Sequence, residues 1–238
     1  MAELHDAILL AAAMLSRFDR GLFDIVALSL GVSLSASAAA ILVGLPVAAA
    51  LAVTRFRGRT ALILMANAML GLPPVVVGLA LYLLLSRSGL LGGLGLLFTP
   101  AAMVAAQFLL ALPIVVALGH RSMEAVWREY GDELRMEGLR PLDAVPHVLS
   151  IGRMGALTAG LAGFGRSISE VGAILIVGGN IAGYTRTMTT AVTLETSQGN
   201  FAFALALGAV LVSISVAVSA LAFAAAARSD RGTSGEKP

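Results

Sequence analysis

An all-α, polytopic membrane fold is predicted for this 238-residue chain, and three observations predict it. Hydrophobic residues make up 58% of the sequence and charged ones only 13%, with a mean hydropathy of +0.91, so there is too little polar surface to cover the chain in water. Five stretches, 25–53, 60–85, 94–118, 154–179 and 201–227, are nearly free of charge. Each is long enough to cross a hydrocarbon core about 30 Å thick, which takes about 20 helical residues. None alternates polar and apolar residues with the period of two that a membrane strand requires over about ten residues.

Residues 1–24 read as an N-terminal interfacial segment. Its apolar run 7–15 is too short to span, and Leu4, Ile8, Ala11, Leu15 and Phe18 recur at helical spacing, as in a helix lying on the membrane. Glu3 and Asp6 before the run, with Arg17 and Arg20 after it, do not fit a secretory leader. The first span carries Pro46, the second Gly71, Pro73 and Pro74, and the third Pro100 and Pro113, so kinked helices are expected. The fourth holds Arg166 and Glu170. A charge at the centre of a membrane helix costs roughly 2.5 to 3.5 kcal/mol on insertion scales, so the two call for a reason. On a continuous helix they share one face with Ser169 between them. They either neutralise each other in a packed interface or line a translocation path or gate. Gly165, Ser169 and Ala173 recur every fourth residue, a spacing that lets helices approach closely. Residues 228–238 are polar and read as a disordered cytoplasmic tail.

Basic residues fix an expected topology. Arg55, Arg57 and Arg59 follow the first span, Arg121, Arg128, Arg135, Arg140 and Arg153 the third, and Arg228, Arg231 and Lys237 the fifth. The opposite side has Arg17, Arg20, Arg87 and Arg186. The positive-inside bias then places the N-terminus outside and the C-terminus in the cytoplasm.

The loop 119–153 is patterned. Ser122 can cap a helix, with Met123, Val126, Trp127, Tyr130 and Leu134 on one face and Arg128, Glu129, Asp132, Glu133 and Arg135 elsewhere. Gly138 offers a left-handed stop, and Pro141 can open a second short helix. Such an element suits docking to a soluble partner, or rests on lipid.

Several function classes are excluded or weakened. There is no cysteine, and His5, His120 and His147 have no ligand spacing; they read as solvated or interfacial, not as a metal site. A net charge of +2 does not argue for nucleic acid. The phosphate-loop pattern Gly-x-x-x-x-Gly-Lys-Ser/Thr is missing and the single lysine is Lys237, so no cofactor or nucleotide is expected on this chain. An intramembrane enzyme built on Glu170 and a serine lacks a histidine in any span; a channel with an Arg166–Glu170 ring has no use for a patterned loop. Gly178, Gly179, Asn180, Gly183, Tyr184, Thr185 and Arg186 read as an outer-face turn before the hydroxyl-rich run 187–197. That turn either hydrogen-bonds an oxyanion or packs against a neighbour.

Two stretches carry a resemblance: LGLPPVVVGLALYLLLSRSGLLGGLGLLFTPAAMVAAQFLLALPIVVAL at 70–118 and GFGRSISEVGAILIVGGNIAGYTRTMTTAV at 163–192. With the loop between them, they resemble permease subunits of binding-protein-dependent ABC importers, in the oxyanion branch. They look most like tungstate permeases, and more loosely like molybdate and sulfate permeases. The resemblance implies a type I importer fold over 25–227, whose coupling loop sits in a cleft of a separate ATPase subunit. Aligned on Gly138, the family's glutamate falls on Asp132 and its two alanines on Glu133 and Leu134. Its later Ile-x-Leu-Pro falls on 148–151 without the proline. ATPase coupling is thereby assigned to Asp132, Glu133, Gly138, Arg140 and Leu142. Implied partners are a second copy of the chain, cytoplasmic ATPase subunits and an extracytoplasmic oxyanion-binding protein, at the bacterial plasma membrane. One small five-helix bundle also argues for two copies.

Overall fold

The computed structural model describes residue 9 and residues 20–234, with side chains over 21–224. The interfacial helix expected over 7–15 therefore lies, residue 9 apart, outside the described residues, as do residues 235–238. Among the described residues there is no strand. The helices are α1 (Arg20–Val53), α2 (Arg59–Ala68), α3 (Pro74–Leu85), α4 (Pro100–Met136), α5 (Val145–Ile151), α6 (Arg153–Ile168), α7 (Gly172–Gly178), α8 (Met188–Ser197) and α9 (Phe201–Ser234).

Three of these, α1, α4 and α9, are long and apolar enough to cross a membrane on their own; up to five crossings result if each of two bent pairs counts as one. The expected second span is such a pair. A turn at Met69–Gly71 follows α2, and α3 then leaves at 103°. This is a corner and not a kink, because two successive prolines act on two successive residues. Each disfavours the helical region for the residue before it. Leu72 and Pro73 accordingly lie at ψ 124 and 121.

The expected fourth span is also broken. After an 83° bend between α5 and α6, α6 stops at Ile168 and α7 begins at Gly172. Arg166 and Glu170 are therefore not on one continuous helical face, and the Gly165, Ser169, Ala173 stripe is divided between α6, the break and α7.

Two corrections concern the loop 119–153. Ser122 caps nothing: α4 runs without interruption from Pro100 to Met136. Residues 119–136 hold three Glu, three Arg and two Met, and extending an existing helix through good formers costs no new nucleus. The second helix opens at Val145 and not Pro141; residues 141–144 form turns, with Ala144 N–H on Arg140 O (3.1 Å), and Pro146 takes the first-turn place. At the C-terminus α9 continues through Ser234, where a polar tail was expected from 228.

The chain forms two compact units. In the first (1–35, 73–107 and 167–218), α3 packs on α7 so closely that a Cβ on Gly78 would lie 2.7 Å from Ala173 Cα. Leu22 of α1, Ala191 of α8 and Leu207 of α9 form an apolar cluster there. The second unit (36–72, 108–166 and 219–238) holds two clusters. Ala40, Ala111 and Val115 make one, with a Cβ on Gly44 or Gly163 only 2.9 or 2.8 Å from Val115. The other joins the end of α1 (Ala49, Ala52, Val53) to Met123 and Leu134 of α4 and to Ala144 and Val148.

Candidate functional site

The second unit contains a charged elbow. Its first arm is the part of α4 beyond the apolar run 100–118, and Gly138 ends it as expected, at φ +84. Leu139 N–H bonds Leu134 O (3.2 Å) and Gly138 N–H bonds Arg135 O (3.0 Å), the paired closure of a Schellman stop. Leu139 packs back on the cluster containing Leu134, as that stop requires. The expected amphipathic face is present: Met123 and Leu134 are buried and Val126, Trp127 and Tyr130 half-buried, while Arg128, Glu129, Asp132, Glu133 and Arg135 are exposed. Asp132, Glu133, Gly138, Arg140 and Leu142 are all exposed at the bend, beside the bare side chain of Met136. Asp132 accepts from Arg135 Nη1 at 2.8 Å, and Arg135 lies over the Trp127 ring at 5.0 Å.

The first unit contains the helix break. Glu170 is buried, and its Oε1 accepts the Ala173 N–H at 2.9 Å; its own carbonyl accepts Thr189 Oγ1 at 2.8 Å. The carboxylate thus supplies an acceptor that a broken helix otherwise lacks in an apolar setting. Ser169 is exposed; Arg166, in the last turn of α6, belongs to the second unit and is half-buried. Gln107 Nε2 donates to Ser167 O at 2.9 Å, and both Gln107 Oε1 and Ser167 Oγ are buried with no hydrogen-bond partner. Buried polar atoms are normally paired, so these two stand out beside the break. The sequence reading missed them, although Gln107 is the only amide in the stretch 94–118. A Thr189→Val permease loses the donor to Glu170 O and is expected to be less stable by about 1 to 2 kcal/mol, read as a lower Tm in detergent.

A turn follows α7 as expected, and left-handed residues build it, Gly179 at φ +72 and Asn180 at φ +50. Thr185 faces inward. Its hydroxyl donates to Gly178 O (2.6 Å) and accepts from Ile181 N–H (2.9 Å), so it staples the turn. Arg186 Nη2 reaches Asn180 O at 3.5 Å, and the guanidinium lines a cavity of about 650 Å³ with Asp24 and Glu195. The hydroxyl-rich run is helical: it forms α8, started by a capping box in which Thr190 Oγ1 accepts Thr187 N–H (2.9 Å) and Thr187 Oγ1 accepts Thr190 N–H (3.4 Å). Thr187, Thr189 and Thr190 are buried. Among the described residues no His, Asp or Glu cluster could hold a metal ion. His120, expected in solvent or at the interface, is buried beside Arg59.

Apolar helices, with a bent pair before and another after the long α4 in the sequence, define a multi-pass membrane protein. No family model matches the chain. A probable anion ABC transporter permease of Haloferax volcanii is 42% identical over 184 residues, 75% of this chain and 79% of that one. The tungstate uptake system permease TupB of Campylobacter jejuni is 42% identical over 139 residues, 58% of each chain. TupB of Peptoclostridium acidaminophilum is 35% identical over 196 residues, 80% of this chain and 84% of that one. The chain belongs to the anion permeases of ABC transporters.

Proposed function

We propose that this permease passes tungstate inward as a pair of identical subunits. Each would grip one cytoplasmic ATPase subunit at its elbow, and the pair would receive the anion from an extracytoplasmic binding protein. The observation that carries the substrate is the 42% and 35% identity to two tungstate uptake permeases. Molybdate, nearly equal in charge and size, is the second reading. The pairing rests on the small size of one five-span bundle; α9, only 22% of whose most apolar stretch is buried within the chain, leaves a face free to be covered. A surface that apolar is covered by lipid or by another copy. The elbow faces the cytoplasm in this reading, with the N-terminus outside and the C-terminus inside, in keeping with the arginine bias. Its exposed Met136 and Leu142, ringed by Asp132, Glu133 and Glu137, suit a cleft with an apolar floor and basic rim.

At the break, the hydroxyls of Ser169 and Ser167 can donate hydrogen bonds to a passing oxyanion, and Arg166, next to Ser167 in sequence, can supply a positive potential, with no site tight enough to trap a dianion. Asn180 and Arg186 would lie at the outer mouth, held there by Thr185.

The test is reconstitution with the cognate ATPase and binding protein in proteoliposomes. ATP-dependent uptake of tungstate, reduced by excess molybdate but not by sulfate, is expected; uptake of sulfate with neither metal oxyanion carried overturns the substrate. Gly138→Val, at a φ that a β-branched residue rarely adopts, and Asp132→Lys are expected to lose ATPase co-elution. Retention of the ATPase by both overturns the elbow as its grip.

A further inference from the structure

Three arginines follow α1, and sequence alone treats them alike. Arg55 and Arg57 are exposed. Arg59 is turned inward, its side chain 22% accessible, because Gly58 at φ +95 reverses the chain just before α2 begins. Three groups then converge on one guanidinium. Its Nε donates to Leu51 O at 2.6 Å, one of the carbonyls that the last turn of α1 leaves without a helical partner. Its Nη2 donates to Glu124 Oε1 at 3.2 Å and to His120 Nε2 at 3.3 Å, both on the extension of α4. A guanidinium has no acceptor, so His120 Nε2 holds the lone pair. Glu124 Oε2 also meets Arg128 at 3.3 Å, and Arg121 Nη2 reaches Asn67 Oδ1 of α2 at 2.9 Å. Exposed ion pairs contribute little, but here a cation sits on a helix C-terminus and is shared with a half-buried carboxylate above a packed apolar cluster.

We propose that Arg59 is a positioning residue for coupling. It fastens the end of α1 and the start of α2 to the rigid extension of α4, so that a displacement imposed at the elbow is carried into both helices together instead of letting the 54–58 loop flex between them. Hydrogen-bond and ion-pair networks between rigid elements are one carrier of energetic coupling, and this one joins three elements through a single side chain. The inference rests on the elbow being the ATPase contact, and it makes Arg59 neither a substrate ligand nor only a topology signal.

The experiment uses the assembled complex with ATPase and binding protein in proteoliposomes and reads tungstate transported per ATP hydrolysed, with ATPase co-elution recorded beside it. Arg59→Gln is expected to keep the ATPase and a basal hydrolysis rate within about twofold of the parent while transport per ATP falls about tenfold. Arg59→Lys, which keeps the charge but reaches only one of the two anchor oxygens, is expected to recover part of the loss, and Glu124→Gln to reproduce part of it. Loss of stability alone lowers the amount of complex and leaves this ratio unchanged. An Arg59→Gln ratio within twofold of the parent overturns the proposal. Where Arg59→Gln does not assemble, unchanged ratios in both Arg59→Lys and Glu124→Gln overturn it. Failure of the elbow reading shows separately, as ATPase retained by Gly138→Val and Asp132→Lys.

Discussion

A Gly78→Val permease is expected to lose about 3 kcal/mol of stability, at the upper end of what overpacking costs. At about 2 to 4 °C per kcal/mol for a chain of this size, its Tm in detergent falls by roughly 10 °C. The reason is what surrounds the missing side chain. An ideal Cβ at Gly78 lies 2.7 Å from Ala173 Cα and 3.1 Å from its carbonyl oxygen, so backbone and not a flexible side chain blocks it. Only parting α3 from α7 makes room, and with α7 goes the acceptor geometry at Glu170. The matched control is Gly31→Ala, an exposed helical position where a Cβ meets nothing within 4 Å. There the better helix former should raise stability by up to about 1 kcal/mol. Equal melting points for the two variants would contradict the packing described.

The second large effect is at Glu170. Glu170→Ala strips the acceptor from the Ala173 N–H and opens a void at a buried break, and a loss of about 3 kcal/mol is expected, since buried donors to a charged acceptor are costly to orphan. Glu170→Gln keeps an oxygen at the same place and removes the charge. If the carboxylate serves the fold, the Gln variant melts within about 1 kcal/mol of the parent and transports at the parent rate. A Gln variant that is stable but inactive assigns the charge to the path. Thermal melts and uptake assays on the same two proteins decide between the roles.

How much of this was legible in the residues depends on range. The stop at Gly138 and the apolar face from Met123 to Leu134 were readable, because a left-handed glycine and a 3.6-residue period are local signals. The corner at 71–74 was visible only as a kink: the sequence marks the prolines, but the 103° turn requires two consecutive residues to leave the helical region together. The break at 169–171 was not legible at all. Apolar residues on both sides read as one span, and the partners that make a break tolerable are the Glu170 carboxylate, which accepts the Ala173 N–H, and the Thr189 hydroxyl, distant in sequence, which donates to Glu170 O. Arg59 was hidden differently. A charge count sees three equivalent arginines, and only the reversal at Gly58 and the reach to His120 and Glu124 set one apart.

Trp127 is the only tryptophan in the chain, half-buried in the cluster that ties α4 to the end of α1, with the Arg135 guanidinium over its ring. An indole placed so is a built-in optical gauge: its emission responds to hydration and to the nearby cation. Titrating the isolated permease with a tryptophan-free ATPase should shift or quench that emission without any attached dye, and Arg135→Ala should blunt the response. If the bend is the ATPase contact proposed above, it would report its own occupancy by light.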